Sequence, residues 1–131
     1  MADVKERPLS PHLQVWRFHI TMLVSILHRI TGVGLYLAAL VGAGWALALA
    51  GGPVSYDGYM RILGSPLGKL VLFGFTVSVW FHLANCIRHL VWDTGEGFEL
   101  KQAEFGAWFV IGFSLIASVF TWVLALMSGA L

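Results

Sequence analysis

Five residues able to hydrogen-bond or to ligate a metal recur along one otherwise apolar stretch: Ser78, His82, Asn85, His89 and Asp93. Their spacings of four, three, four and four place them on one face of a single helix. Counted inward from Asp93 at about 1.5 Å per residue, the Cα of His82 lies about 16 Å from the helix end, inside any bilayer that this segment crosses. A polar group at that depth is costly and asks for a partner or a role. Two readings of His82 stand. In one, a neutral imidazole hydrogen-bonds a serine or a backbone carbonyl of a neighbouring helix. In the other, it is an axial ligand of haem iron, because neutral imidazole is a favoured iron ligand and a bilayer interior suits a porphyrin face. His82 and His89 are about 10 Å apart along the axis, against an Fe–N bond of about 2 Å, so they cannot be opposite ligands of one iron. A second histidine ligand would then come from another chain, with His89 at the propionate edge.

A second group, Ser25-Ile26-Leu27-His28-Arg29, opens another long apolar run. Ser25 and Arg29 are four apart and share a face, with His28 beside them. Arg29 is a fixed cation at a hydrocarbon edge. It is able to hold a propionate or to hydrogen-bond a quinone carbonyl, to which Ser25 would also donate, or else it is a snorkelling anchor with no ligand.

Both groups must be positioned by membrane helices. The 131 residues are 58% hydrophobic and 11% charged, with a mean hydropathy of +0.79, a balance that excludes a soluble single-domain enzyme. No Asp, Glu, Lys or Arg occurs from Ile30 to Tyr56, from Leu70 to Ile87 or from Phe105 to Leu131. Each of these runs is about long enough to cross the ~30 Å hydrocarbon layer. The expected fold is therefore an all-α integral membrane protein, a single membrane-anchor domain over 1–131 with three transmembrane helices at about 25–50, 66–93 and 103–127. An N-terminal amphipathic helical segment, 11–24, precedes them: Ser10-Pro11 reads as an N-cap followed by proline at the first helical position. After it, Leu13, Trp16, Ile20 and Leu23 form an apolar stripe beside a polar one containing Gln14, Arg17, Thr21, Ser25 and His28.

Gly34, Ala38, Gly42, Ala46 and Ala50 form a smooth ridge on the first span where a neighbouring helix can approach closely. Tyr56, Tyr59 and Arg61 suit a connection at the outer interface. In the third span Ser114, Ser118 and Thr121 are the polar interior groups, with no chemistry of their own. Cys86, the single cysteine, reads as a small apolar packing residue. A net charge of +1 argues against nucleic-acid binding. The split of basic residues, Lys5, Arg7, Arg17, Arg29, Arg88 and Lys101 against Arg61 and Lys69, sets the N-terminus in the cytoplasm or matrix. No apolar signal-like region or Arg/Ser-rich leader is visible in the first residues, and a bacterial inner membrane fits better than a mitochondrial one.

Three stretches taken together resemble a known family. Arg7-Pro8-Leu9-Ser10-Pro11-His12, then Ser25-Ile26-Leu27-His28-Arg29-Ile30-Thr31-Gly32, then His82-Leu83-Ala84-Asn85-Cys86-Ile87-Arg88-His89 with Asp93, resemble the cytochrome b membrane anchors of succinate dehydrogenase, in the family's order. Cys86 departs from the glycine usual before Ile-Arg-His in that family.

The resemblance implies that His82 is the axial ligand of haem b, with the opposite histidine on a second membrane anchor subunit. It implies that His28, Arg29 and His89 contact the propionates. Ser25 and Arg29 would be ubiquinone-site residues, Ile26 would pack on the quinone ring, and Phe18 and Met22 would form the mouth. Asp93 would be an acidic residue near that site, in proton transfer or simply paired with Arg88 or Arg29. A flavoprotein and an iron–sulfur subunit would carry the succinate chemistry and dock on this anchor, leaving no catalytic residue for succinate in the chain. The rival expectations are a fumarate reductase anchor working with menaquinol, and a structural anchor or small transport subunit whose histidines only bridge helices.

Overall fold

The computed structural model describes residues 16–129. It is built of four helices: α1 Ile20–Ala50, α2 Pro53–Leu63, α3 Pro66–Asp93 and α4 Leu100–Met127, and no strand occurs among the described residues. α1, α3 and α4 are long and apolar enough to cross a membrane. Of the most apolar stretch of α1 only 6% is buried within the chain, and of those of α3 and α4 17% each. Such surfaces are stable only against lipid or other membrane helices, where apolar side chains need no cover from water.

The ends of the helices follow from local chemistry. Ser65 accepts a hydrogen bond from the Gly68 amide at 3.1 Å, and Pro66 stands in the first turn, so α3 starts as an N-cap and proline dictate. α3 then continues without a break to Asp93. α4 begins at Leu100, three residues before the expected boundary.

Two expectations are corrected. The helical segment over 11–24 does not extend through its middle: Trp16–His19 are non-helical, His19 is extended at φ −106°, ψ 147°, and the helix begins at Ile20 and continues unbroken into the first span. The His19 carbonyl, accepting from the Met22 and Leu23 amides, closes the first turn there. The Ser10-Pro11 start lies outside the described residues. The connection after the first span is itself a helix, α2, with Pro53 in its first turn. Tyr59 pins it to α1 by donating to the Val41 carbonyl at 2.7 Å.

The small core sits at one end of the bundle. Val24 of α1, Phe81 and Ala84 of α3, and Ala107 and Val110 of α4 are buried there, with Ile20, Leu27 and Ile111 packed on them. Between the middle of α3 and the C-terminal part of α4 the fastening is polar. Trp80 Nε1 donates to Thr121 Oγ1 at 3.0 Å, and Trp122 Nε1 donates back across the interface to Thr76 Oγ1 at 3.1 Å. Ser114 and Ser118 are buried and spend their hydroxyls on the carbonyls of Ile111 and Ser114 in their own helix.

The small-residue ridge of α1 is covered only in part. Gly34 lies against Ser78 of α3. Farther along, Ala38 and Gly42 open onto an apolar groove of about 510 Å³ shared with Trp45, Phe75 and Val79.

Candidate functional site

α1 and α3 bring the two polar groups of the sequence together beside the core. His28 of α1 lies between two histidines of α3. Its ring is stacked on that of His82 at 4.1 Å with the planes inclined by 29°, and on that of His89 at 5.2 Å with 27°. His89 meets the edge of Trp92 at 5.2 Å on its other side. The seven-residue separation of His82 and His89 is two helical turns, and the single imidazole from α1 fills the interval between them.

The tautomer of His82 follows from its partner. Thr31 Oγ1 donates its one proton to the His28 carbonyl at 3.0 Å. The same oxygen lies 3.4 Å from His82 Nδ1, and having given up its proton it can only accept there. The tautomer of His82 that fits this contact has its proton on Nδ1 and presents the Nε2 lone pair, the form of imidazole that ligates a metal. His89 is fixed in the same sense, since its Nδ1 donates to the Asn85 carbonyl at 2.8 Å. Gly32 lies beside the His82 ring, and a Cβ at that position would stand in ordinary contact with it, 3.4 Å from Cε1.

The arrangement also limits what His28 can do. Two histidines on opposite sides of one iron point their nitrogens at each other across about 4 Å, with the porphyrin between the rings. Rings stacked face to face with centres 4.1 Å apart leave no room for a macrocycle, so His28 and His82 are not a pair of opposite ligands. Donor atoms of His28, His82 and Cys86 do lie within 4.8 Å of one another, the one such group among the described residues.

The residues around this row are not all where the sequence reading expects them. Asn85 leaves the polar face: it is fully buried, and its Oδ1 receives Arg88 Nη1 at 3.4 Å. Arg88 also donates to the Ala103 carbonyl at 3.1 Å and lies over the Trp92 ring. Its guanidinium is thus engaged away from Asp93, which is exposed at the end of α3. Cys86 is more than a packing residue, with its Sγ 3.6 Å from His28 Nε2. Thr31 and Gly32 are the site residues that the sequence reading leaves without a role. The spacing of Thr31, three after His28, is the signal that places it over the same turn.

Ser25 and Arg29 stand exposed on α1 one turn apart, with Ile26 (45% exposed) and Met22 (37%) beside them. Phe18 (55%) lies in the extended segment that leads into the helix. These five form an outward surface next to the histidine row rather than an enclosed pocket. An opening of this kind, polar at Ser25 and Arg29 and apolar elsewhere, is able to take a flat ring with a carbonyl on its edge.

Comparison with known proteins agrees with this architecture. Residues 3–121 match the family described as succinate dehydrogenase/fumarate reductase transmembrane subunit. The chain is similar to the succinate dehydrogenase cytochrome b556 subunit of Paracoccus denitrificans, 37% identical over 123 residues, covering 92% of this chain and 95% of that one. It is similar to the subunit of the same name from Rickettsia felis, 35% identical over 119 residues, covering 90% and 92% of the two chains. The mitochondrial succinate dehydrogenase cytochrome b560 subunit of Sus scrofa is 32% identical over 118 residues, 86% of this chain and 68% of its own. With three membrane-length helices and a match over nearly its whole length, this chain belongs to the succinate dehydrogenase/fumarate reductase transmembrane subunit family.

Proposed function

We propose that this chain is the haem b-binding anchor of a succinate:ubiquinone oxidoreductase in a bacterial inner membrane, N-terminus cytoplasmic, and that it forms part of the site where ubiquinone is reduced. The observation that carries the reading is the Thr31 contact to His82 Nδ1, which leaves Nε2 of an imidazole in a membrane-crossing helix free for iron. The cytochrome naming of the relatives points the same way. The residues present thus fit the group.

When bound, haem b supplies a one-electron carrier and a cross-link between anchor chains. His82 would ligate its iron, together with a residue of the second membrane anchor. His28, Arg29 and His89 bind its propionates. Their location at the start of α1 and near the end of α3 puts these groups toward the membrane surface.

Quinone reduction is a separate task of the exposed face of α1. Ser25 and Arg29 orient the ring and polarise a carbonyl by donating to its oxygen, and Ile26 packs on the ring face, with Met22 and Phe18 at the mouth. Protons reach the reduced oxygen from water at the membrane surface, close to which Asp93 also lies. Electrons come from an iron–sulfur subunit that docks on this side together with a flavoprotein subunit, where succinate is oxidised.

The test is a reduced-minus-oxidised spectrum of the purified complex. Wild type is expected to show the haem b bands, and His82→Ala to lose or shift them at unchanged flavin content. An unaltered spectrum in that variant removes the ligand assignment.

A further inference from the structure

We propose that Arg88 and the crevice between α3 and α4 bind the headgroup phosphate of an anionic phospholipid. The crevice lies between α3 and α4, whereas the histidine row lies between α1 and α3, and the site does not depend on the haem assignment. α3 stops at Asp93 and α4 starts at Leu100, so Arg88 lies little more than one turn from a helix end, at the depth where headgroups meet hydrocarbon.

Arg88 is a cation without an anion among the described residues. Its contacts are the Asn85 side-chain oxygen, the Ala103 carbonyl and the Trp92 ring, whose centroid is 4.1 Å from Cζ, and none of these is charged. Its Nε is buried and has no hydrogen-bond partner there. The charged groups nearest in sequence are Asp93, Glu96, Glu99 and Lys101, all exposed, and the half-buried Glu104. A desolvated guanidinium held this way gains most from an oxyanion that accepts two of its N–H groups.

The shape of the crevice selects among anions. It encloses about 220 Å³, with Arg88 and Gln102 as its polar lining and Ile87, Val91, Phe109 and Val110 among its apolar walls. Gly106 keeps it open beside the arginine, since a Cβ there would stand 3.3 Å from Nε. A free phosphate ion is bound by a polar cup with several donors. One cation and one amide above an apolar floor suit a molecule with phosphate at one end and acyl chain at the other.

Native mass spectrometry of the intact complex in mild detergent tests this, with phosphatidylglycerol, phosphatidylcholine and inorganic phosphate as probes. Wild type is expected to hold one more phosphatidylglycerol per copy of this chain than Arg88→Gln, whose affinity for it falls at least about tenfold. Phosphatidylcholine is expected not to substitute, and millimolar inorganic phosphate not to displace the lipid. Equal retention in R88Q, equal retention of phosphatidylcholine, or displacement by inorganic phosphate overturns the proposal. Should R88Q fail to assemble, Gln102→Glu decides: it sets a carboxylate in the lining of the crevice from an exposed position on α4 and leaves Arg88 in place. Loss of the extra lipid in Q102E is the expected result, and its retention overturns the assignment.

Discussion

Thr31 of α1 and His82 of α3 are joined by a side-chain contact of 3.4 Å, although 51 residues separate them in the chain. Among the described residues it is the one side-chain hydrogen bond that ties the hydroxyl of one membrane helix to the imidazole of another at the candidate site. It sets which nitrogen of His82 carries the proton.

Replacing Thr31 by Val removes the acceptor at Nδ1 and keeps the volume. Affinity for haem is expected to fall about 10- to 100-fold, the usual effect of losing an outer partner of a ligating histidine, while Thr31→Ser retains most of it. The haem-to-flavin ratio of the purified complex is the measurement. Equal ratios in wild type and Thr31→Val would show that the hydroxyl does not orient the ligand.

Gly32 faces the His82 ring. Alanine there makes an ordinary contact and is expected to be tolerated. Valine drives its methyl groups into the imidazole, at a cost of about 1–3 kcal/mol, and is expected to empty the haem site. Absorbance at the reduced haem bands, read beside the thermal stability of the assembled complex, separates displacement of the ring from general unfolding.

Arg29 stands on the exposed face of α1 with Ser25. Arg29→Ala is expected to lower succinate:quinone activity by about 10- to 100-fold, corresponding to the loss of a charge-assisted hydrogen bond of roughly 1.5–3 kcal/mol. Succinate oxidation by an artificial acceptor that bypasses the membrane site is expected to change little. Parallel loss of both activities would indicate a defect of assembly.

The indole bonds that tie α3 to α4 make a contrasting case. Trp122→Phe and Thr76→Val each remove the same α3–α4 hydrogen bond. Each is expected to destabilise the chain by about 0.6 kcal/mol, at most about 1.7, with the double variant no worse than either single one. Thermal unfolding of the complex reports this, and the haem spectrum is expected to remain that of wild type.

Much of the scaffold was legible because charge avoidance is strict in a membrane. The run from Leu70 to Ile87 and the Ser65-Pro66 start define α3 unaided, and the seven-residue interval of His82 and His89 fixes their common face. The meeting of His28 with them follows from two helices starting and ending at the same surface. Other features depend on neighbours that periodicity does not see. Asn85 differs from His82 by only three positions, yet that turn carries it into the interior toward Arg88, because a helical face is broad and the packing of α4 decides which flank is covered. Asp93 looks like a partner for Arg88 until the guanidinium is found lying over Trp92 and bonded to Ala103. α2 was hidden because its mixed composition reads as a loop, and only Pro53 marks its first turn.

The two reciprocal Trp–Thr links bear on how the protein matures. They latch α3 and α4 into a hairpin, and α1 takes no part in them. That hairpin can close as soon as both helices are in the bilayer, with His82 already displayed on its flank. Packing of α1 against that hairpin, rather than closure of the hairpin itself, is what brings Thr31, Gly32 and His28 to the imidazole of His82.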